Sequence, residues 1–355
     1  MDRDVKFQRA ATRRQLLIRT LATGAAVAGG AALAACTRPS DQVTVPSKVL
    51  PPPETTSVRI VNPPACEPGI WLAKDYLRDE GFTDVSFIAT PFTSRDWITK
   101  NLGDIACAHP EFAVGTIDAG LPLVLLAGLH SGCLEVWVRE GITSVRDLRG
   151  TRISVRTKDL SDQFFAFFAT LLGWVGSDPL KDVQFVEAGA GNVPGMIAAF
   201  VEGRADVLLA GAQGGPMLRR LATSPGHVML ETLTEKPWSE YYCCHVAANR
   251  DWARKYPVAT KRVTRALLLA TDAAAKDLPR AAHDAAGPMK VEESLVVETM
   301  GMCAYNWRDL EPDDTLRFFA LRLAQARMIT STPQKLIAQG TDFAFMRQLR
   351  NELKP

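Results

Sequence analysis

Net charge is nearly absent from this 355-residue chain: 41 Lys and Arg face 39 Asp and Glu, for a formal +2. Such a balance supplies no basic face, so nucleic acid is excluded as a partner. No G-x-S-x-G elbow, Walker loop or H-E-x-x-H pair occurs, so the common hydrolase, nucleotide and zinc-protease signatures are missing. There is no C-x-x-C spacing either, which removes the zinc-ribbon and thioredoxin-like readings. Glycine (25) and proline (22) are ordinary in frequency, so neither a collagen repeat nor wholesale disorder fits. What is present is a chain with 47% hydrophobic residues. It is long enough for two domains, since one core rarely grows past roughly 250 residues.

The first 35 residues read as an export segment rather than as part of the fold. They hold six basic residues (Arg3, Lys6, Arg9, Arg13, Arg14, Arg19) and two acids (Asp2, Asp4). Without them 35 basic residues face 37 acidic ones, so the mature protein is weakly acidic at −2. Thr12-Arg13-Arg14-Gln15-Leu16-Leu17 is a near match to the twin-arginine export pattern. The small-residue stretch Leu21 to Ala35 is too short for the roughly 20 residues of a spanning helix. It ends in Leu33-Ala34-Ala35-Cys36, which resembles the lipobox of bacterial lipoproteins, so Cys36 is the expected lipidation site. Residues 36–56, with Pro39, Pro46 and Pro51-Pro52-Pro53, read as an extended tether holding a body off a membrane surface. Export puts Cys66, Cys107, Cys133, Cys243, Cys244 and Cys303 in an oxidising compartment. Six cysteines allow fifteen pairings among which spacing cannot choose, and small buried thiols are the simplest expectation.

From Ser57 onward short β-rich runs alternate with helical patterns. Strands are expected over 58–62, 84–89, 103–108, 151–155, 182–186, 205–210 and 228–230, with further apolar runs over 121–129, 133–138 and 241–248. Helices are expected over 68–80, 94–102 (capped by Ser94), 110–119, 161–174, 193–201 and 216–222, and almost throughout 251–353. This order argues an α/β fold with parallel sheets covered by helices on both faces, followed by a helical tail.

Three segments carry a family resemblance. Ile142-Thr-Ser-Val-Arg-Asp-Leu-Arg-Gly-Thr-Arg-Ile-Ser-Val155 resembles the I-x-S-x-x-D-L-x-G-K-x-I-x-V segment of solute-binding proteins. Phe200-Val-Glu-Gly-Arg-Ala-Asp206 is similar to their A-L-x-x-G-x-x-D-A corner, with Phe200 in place of Leu, and Asn249 to Pro257 matches as well. The nearest branch is the nitrate/sulfonate/taurine and thiamine-precursor (NMT1-like) group, over about Ser57 to the C-terminus. The resemblance implies a two-lobed type II periplasmic binding fold with two hinge strands. It also implies a monomer that hands a small ligand to an ABC permease and ATPase. With hinges at 133–138 and 241–248, residues 57–132 and 240–355 would form one lobe and residues 133–239 the other.

Ligands of such sheets lie at the C-terminal ends of the parallel strands. That rule selects Glu67, Phe92, His109, Glu111, His130 and Ser131 from the first lobe. From the second it selects Thr157, Asp159, Ser161, Asp162, Asn192 and Gln213, with Trp238 and Tyr241 before the return hinge. Helix N-termini favour an oxyanion. Four acids at or near these helix starts (Glu67, Glu111, Asp159, Asp162) turn the expectation toward a small organic molecule offering N–H donors or positive charge, with aromatic side chains to hold a flat ring. His109 and His130 lie near carboxylates and cysteines, but histidines in loops more often hydrogen-bond locally, so no metal and no cofactor are expected. Cys243-Cys244-His245 falls where the thiamine pyrimidine synthases of this group carry a longer cysteine run. Strand alternation would put the two thiols on opposite faces, against catalysis. A solute-binding lipoprotein is therefore expected, with a sensor module or an enzyme of that synthase type as alternatives.

Overall fold

The computed structural model describes residues 50–61, 66–88, 95–189 and 193–353, all within one compact unit. Arg13, Arg14, Cys36, Phe92 and Asn192 lie outside them, as does the Ser94 cap. In chain order the strands are β1 (Ser57–Val61), β2 (Asp84–Ile88), β3 (Ile105–Ala108), β4 (Leu123–Gly132), β5 (Glu135–Val138) and β6 (Arg152–Val155). They continue with β7 (Gln184–Glu187), β8 (Val207–Ala210), β9 (His227–Glu231), β10 (Cys244–Asn249) and the two-residue β11 (Cys303–Ala304).

They form two sheets, ordered β11-β4-β10-β3-β1-β2 and β7-β6-β8-β5-β9. All ten residues of β4 and all four of β8 are buried, which is why both read as continuous apolar runs rather than as alternation. The sheets are mixed rather than purely parallel. β1 runs parallel to β2 and β3, and β6 parallel to β7 and β8, but β10 and β5 are antiparallel to their neighbours. These two are the strands by which the chain enters each sheet from the other. The crossings are not the expected hinge strands: β5 lies wholly in the second sheet and β10 wholly in the first, leaving the short Cys133–Leu134 and the longer residues 232–243 as connectors.

The family-like corner has the same build in both halves. Asp206, just before β8, accepts the Arg152 backbone N–H at 2.9 Å and pairs with its guanidinium at 2.6 Å. Asp104, just before β3, does so for Arg59 at 2.8 and 2.7 Å. One carboxylate thus ties each parallel strand to the next, so the motif specifies the sheet rather than a ligand.

Helix Pro257–Lys276 opens on Pro257, whose missing N–H costs nothing at a helix start. It buries Val263, Ala266, Leu267, Ala270 and Ala274, a stripe at helical spacing. The expected helix over 68–80 is two short ones, Pro68–Trp71 and Lys74–Asp79. Gly69 lies flush on the backbone of the long helix, where a Cβ would come within 2.8 Å of Thr271 Cα, and this contact fixes the first turn separately from the second. Helix Gln163–Trp174, over the second sheet, packs on helix Pro312–Gln325, which lies with the first. Gly173 permits the approach, since a Cβ there would stand 2.3 Å from the Arg322 carbonyl oxygen.

Candidate functional site

The two connectors run side by side. The Leu134 N–H donates to Thr232 Oγ1 at 3.1 Å, and the Thr232 N–H donates to the Leu134 carbonyl at 3.0 Å. Gly132 stands at φ +93°, and a Cβ there would strike the Met302 carbonyl at 2.4 Å, so both the conformation and the contact require glycine. Cys133 follows at φ +68°, an uncommon left-handed conformation for a residue with a side chain. The Cys243 N–H donates to the His130 carbonyl at 2.8 Å, closing the second connector onto the end of β4.

Around this crossing the first sheet gathers an unusual set of side chains. His130, on β4, and Glu67, before helix Pro68–Trp71, are fully buried with Nε2 and Oε1 3.1 Å apart. His109 and Glu111, at the start of helix Pro110–Asp118, form a second buried pair at 3.6 Å. Burial pushes both the Glu67 and Glu111 carboxyls up to about 7, against the pull of their histidines. Burial also opposes a charge on His130, but Cys303, Cys244 and Glu67 outweigh it and raise this imidazole well above its ordinary range.

The thiols interleave with these pairs. Cys66 Sγ lies 4.0 Å from Cys244 Sγ, and Cys133 Sγ lies 3.1 Å from Cys243 Sγ. Cys243 and Cys244 both reach the His109 ring, at 3.5 Å from Nδ1 and 3.9 Å from Nε2. The expected placement on opposite faces fails because β10 begins only at Cys244 and its register with β4 slips directly after it, so the pleat does not govern Cys243. Hydrogen bonds from Cys133, Cys243 and Cys66 draw the Cys244 thiol well below its usual range, favouring a thiolate. The Tyr305 hydroxyl donates to the Cys66 carbonyl at 2.7 Å and its ring meets His130 edge-on at 5.6 Å. The described cysteines are all free thiols.

The other expected site residues that the structure describes fall into four groups. Ser131 adjoins the cluster, with its hydroxyl and N–H both bonded to the Asn306 amide at 3.1 Å. Trp238 and Tyr241 stand in an aromatic wall: Trp238 is ringed by Phe167, Trp174, Phe318 and Phe319, and Tyr241 stacks on Phe318 at 4.3 Å. A cavity of about 20 Å³ lies where this wall meets His109, Glu111 and Cys243. Thr157, Asp159, Ser161 and Asp162 sit at the opening of helix Gln163–Trp174. There Asp162 accepts N–H bonds from Arg156, Thr157 and Phe164 and pairs with the buried Arg156 guanidinium at 3.1 Å. Asp159 is exposed, accepts the Ser161 N–H at 2.6 Å, and lies 3.8 Å from Arg95, just before helix Asp96–Thr99. Gln213 precedes helix Gly214–Arg219 without a capping bond.

The site therefore brings Glu67, His109, Glu111, His130 and Ser131 together and leaves Asp162 engaged in capping its own helix. Reasoning from the sequence did not assign a site role to the thiols of Cys66, Cys133, Cys243, Cys244 and Cys303, to Tyr305 or to Arg95. The available signal was the adjacency of Cys243-Cys244-His245 and the His-Pro-Glu turn after β3.

A family model described as NMT1/THI5 like matches residues 72–282. The chain belongs to the NMT1/THI5-like family. No curated protein matches the sequence. Among solved structures, this family member is similar to the alkanesulfonate-binding protein SsuA from Xanthomonas axonopodis pv. citri bound to MOPS, at 15% identity and a TM-score of 0.64, covering 82% of this chain and 99% of that one. The periplasmic nitrate-binding protein NrtA from Synechocystis PCC 6803 matches at 14% identity and a TM-score of 0.68, covering 86% and 90%. The periplasmic aliphatic sulphonate-binding protein SsuA from Escherichia coli matches at 15% and 0.58, covering 78% and 90%. At such identities the likeness establishes the fold, a two-lobed type II periplasmic binding architecture. Among the described residues no helix is long and apolar enough to cross a membrane.

Proposed function

We propose that this protein is the solute-capturing component of an ABC importer. It is exported by the twin-arginine route, anchored through a lipid on Cys36, and carries a small organic solute to a membrane permease and its ATPase. The lobes are residues 57–132 with 240–355, and residues 133–239. The observation that carries this reading is the pair of adjacent connectors at Leu134 and Thr232, because two crossings held side by side between the sheets let lobes rotate about one line and close on a ligand. The family membership agrees with it.

On this reading the solute meets Glu67, His109, Glu111, His130 and Ser131 from one lobe and Thr157, Ser161 and Gln213 from the other, with Trp238 and Tyr241 beside the hinge. Two buried carboxyls at the root of the cleft favour a solute with N–H donors or positive charge over a simple oxyanion. Aromatic side chains supply faces for a flat ring. Calorimetric titration with nitrate, taurine and an aminopyrimidine, paired with small-angle scattering, tests this. The aminopyrimidine should bind and shrink the radius of gyration. Tight nitrate or taurine binding would defeat the acidic cleft, and turnover without stoichiometric retention would indicate an enzyme on the same fold.

A further inference from the structure

The thiols at the root of the cleft have the spacing of metal ligands. Donor atoms of Cys66, His130 and Cys244 all lie within 4.8 Å of one another, and so do those of His109, Cys243 and Cys244. Around a tetrahedral zinc ion, with Zn–S about 2.3 Å and Zn–N about 2.0–2.1 Å, two sulfurs stand about 3.8 Å apart and a sulfur and a nitrogen about 3.6 Å. The Cys66–Cys244 separation is 4.0 Å and the Cys243–His109 separation is 3.5 Å. These two separations thus already stand within a few tenths of an ångström of the spacing that a shared ion requires.

A second, independent observation comes from the carboxylate beside them. Both Glu67 oxygens and His130 Nε2 are buried without a hydrogen bond of good geometry, and Glu67 Oε1 lies 3.1 Å from His130 Nε2. Buried polar atoms left in this state call for an explanation, and an ion is one that also accounts for the converging thiols. Two thiolates and a neutral imidazole around a divalent ion carry no net charge, which removes most of the cost of burying them.

We propose that Cys244, with Cys66 and His130 on one side and Cys243 and His109 on the other, is the centre of a buried site for a soft d10 metal ion, zinc(II) or copper(I). Thiolate and imidazole donors select such ions over magnesium or calcium, which take oxygen ligands. Binding displaces the thiol protons to solvent and leaves the sulfur oxidation state unchanged. Glu67 serves as a further ligand or as the acceptor that orients His130. The site shares Glu67, His109 and His130 with the solute contacts proposed above, but its test reads metal binding alone, so its failure and the failure of the importer reading are distinguishable.

The test is made on the exported protein, purified in reductant without oxygen. Zinc(II) and copper(I) are titrated separately against chromogenic chelators, and native mass spectrometry counts the ions bound. At least one equivalent of one of these metals should be withheld from the chelator, and the two arms identify which. Cobalt(II) as a visible probe should give thiolate charge-transfer absorption. Cys244→Ser, common to both ligand sets, should weaken binding by more than the roughly 10–100-fold that losing an outer partner costs, while Cys107→Ser leaves it unchanged. Circular dichroism checks that each variant is folded; should Cys244→Ser not fold, the Cys66→Ser, Cys243→Ser double variant takes its place. Failure of the reduced, folded protein to hold either metal would overturn the proposal. So would undiminished binding by a folded Cys244→Ser variant. Purification of the reduced protein with Cys133–Cys243 still disulfide-linked and no metal bound would also overturn it.

Discussion

Changing Asp162 to Asn separates a helix cap from a ligand-binding carboxylate. Asp162 is 3% exposed, and its two oxygens accept three backbone N–H bonds and the Arg156 guanidinium. Arg156 is itself 4% exposed and lies over the Phe164 ring at 4.8 Å, so it has little water to fall back on. Removing one partner of a buried ion pair costs about 3–5 kcal/mol. Asn keeps the shape and one acceptor oxygen, which puts Asp162→Asn near the lower end, a fall of roughly 5 °C in Tm for a body of this size. Adding Arg156→Met should recover roughly 1–3 kcal/mol, because the buried pair is then replaced whole rather than halved. Differential scanning calorimetry measures both, and a parallel titration should find solute affinity unchanged. A normal Tm combined with a loss of one or two decades in affinity would refute the reasoning and return Asp162 to the ligand.

Two further outcomes follow from the same structure. Gly173→Ala places a methyl 2.3 Å from the Arg322 carbonyl, so it should cost about 1–3 kcal/mol by overpacking and enlarge the radius of gyration; an unchanged Tm and scattering profile would mean that the two helices are not in contact in solution. Metabolic palmitate labelling should mark the exported protein and vanish in Cys36→Ala, and replacing Arg13 and Arg14 with Lys should block export; labelling that survives the first change, or secretion that survives the second, would contradict lipidation or the twin-arginine route.

Much of the fold was legible because burial writes itself into local pattern. β4 and β8 announce themselves as unbroken apolar runs, and the Asp206 corner carries a recognisable spacing. The antiparallel insertion of β5 and β10 was not legible, since strand direction depends on where the chain comes from and not on which side chains it buries. β11 is two residues long and too short for any periodicity. The site was half visible. Glu67, His109, Glu111 and His130 were selected by their places after strands, but nothing local tells that Cys66, Cys133, Cys244 and Cys303 will meet. They are brought together by the order β11-β4-β10-β3-β1, which sets neighbours in space that are remote in sequence. Asp162 was ambiguous for the opposite reason: an acid before a helix looks the same whether it faces a ligand or its own backbone, and the structure shows the backbone bonds.

The central claim is that the cleft carries a solute, and native mass spectrometry of the protein isolated from its own cell envelope tests it most directly. The account predicts a fraction of molecules heavier by the mass of one small organic solute, beyond any metal, with that mass lost from an otherwise folded Glu111→Gln variant. Protein that carries no such mass, and acquires none after incubation with an extract of small metabolites, would contradict it.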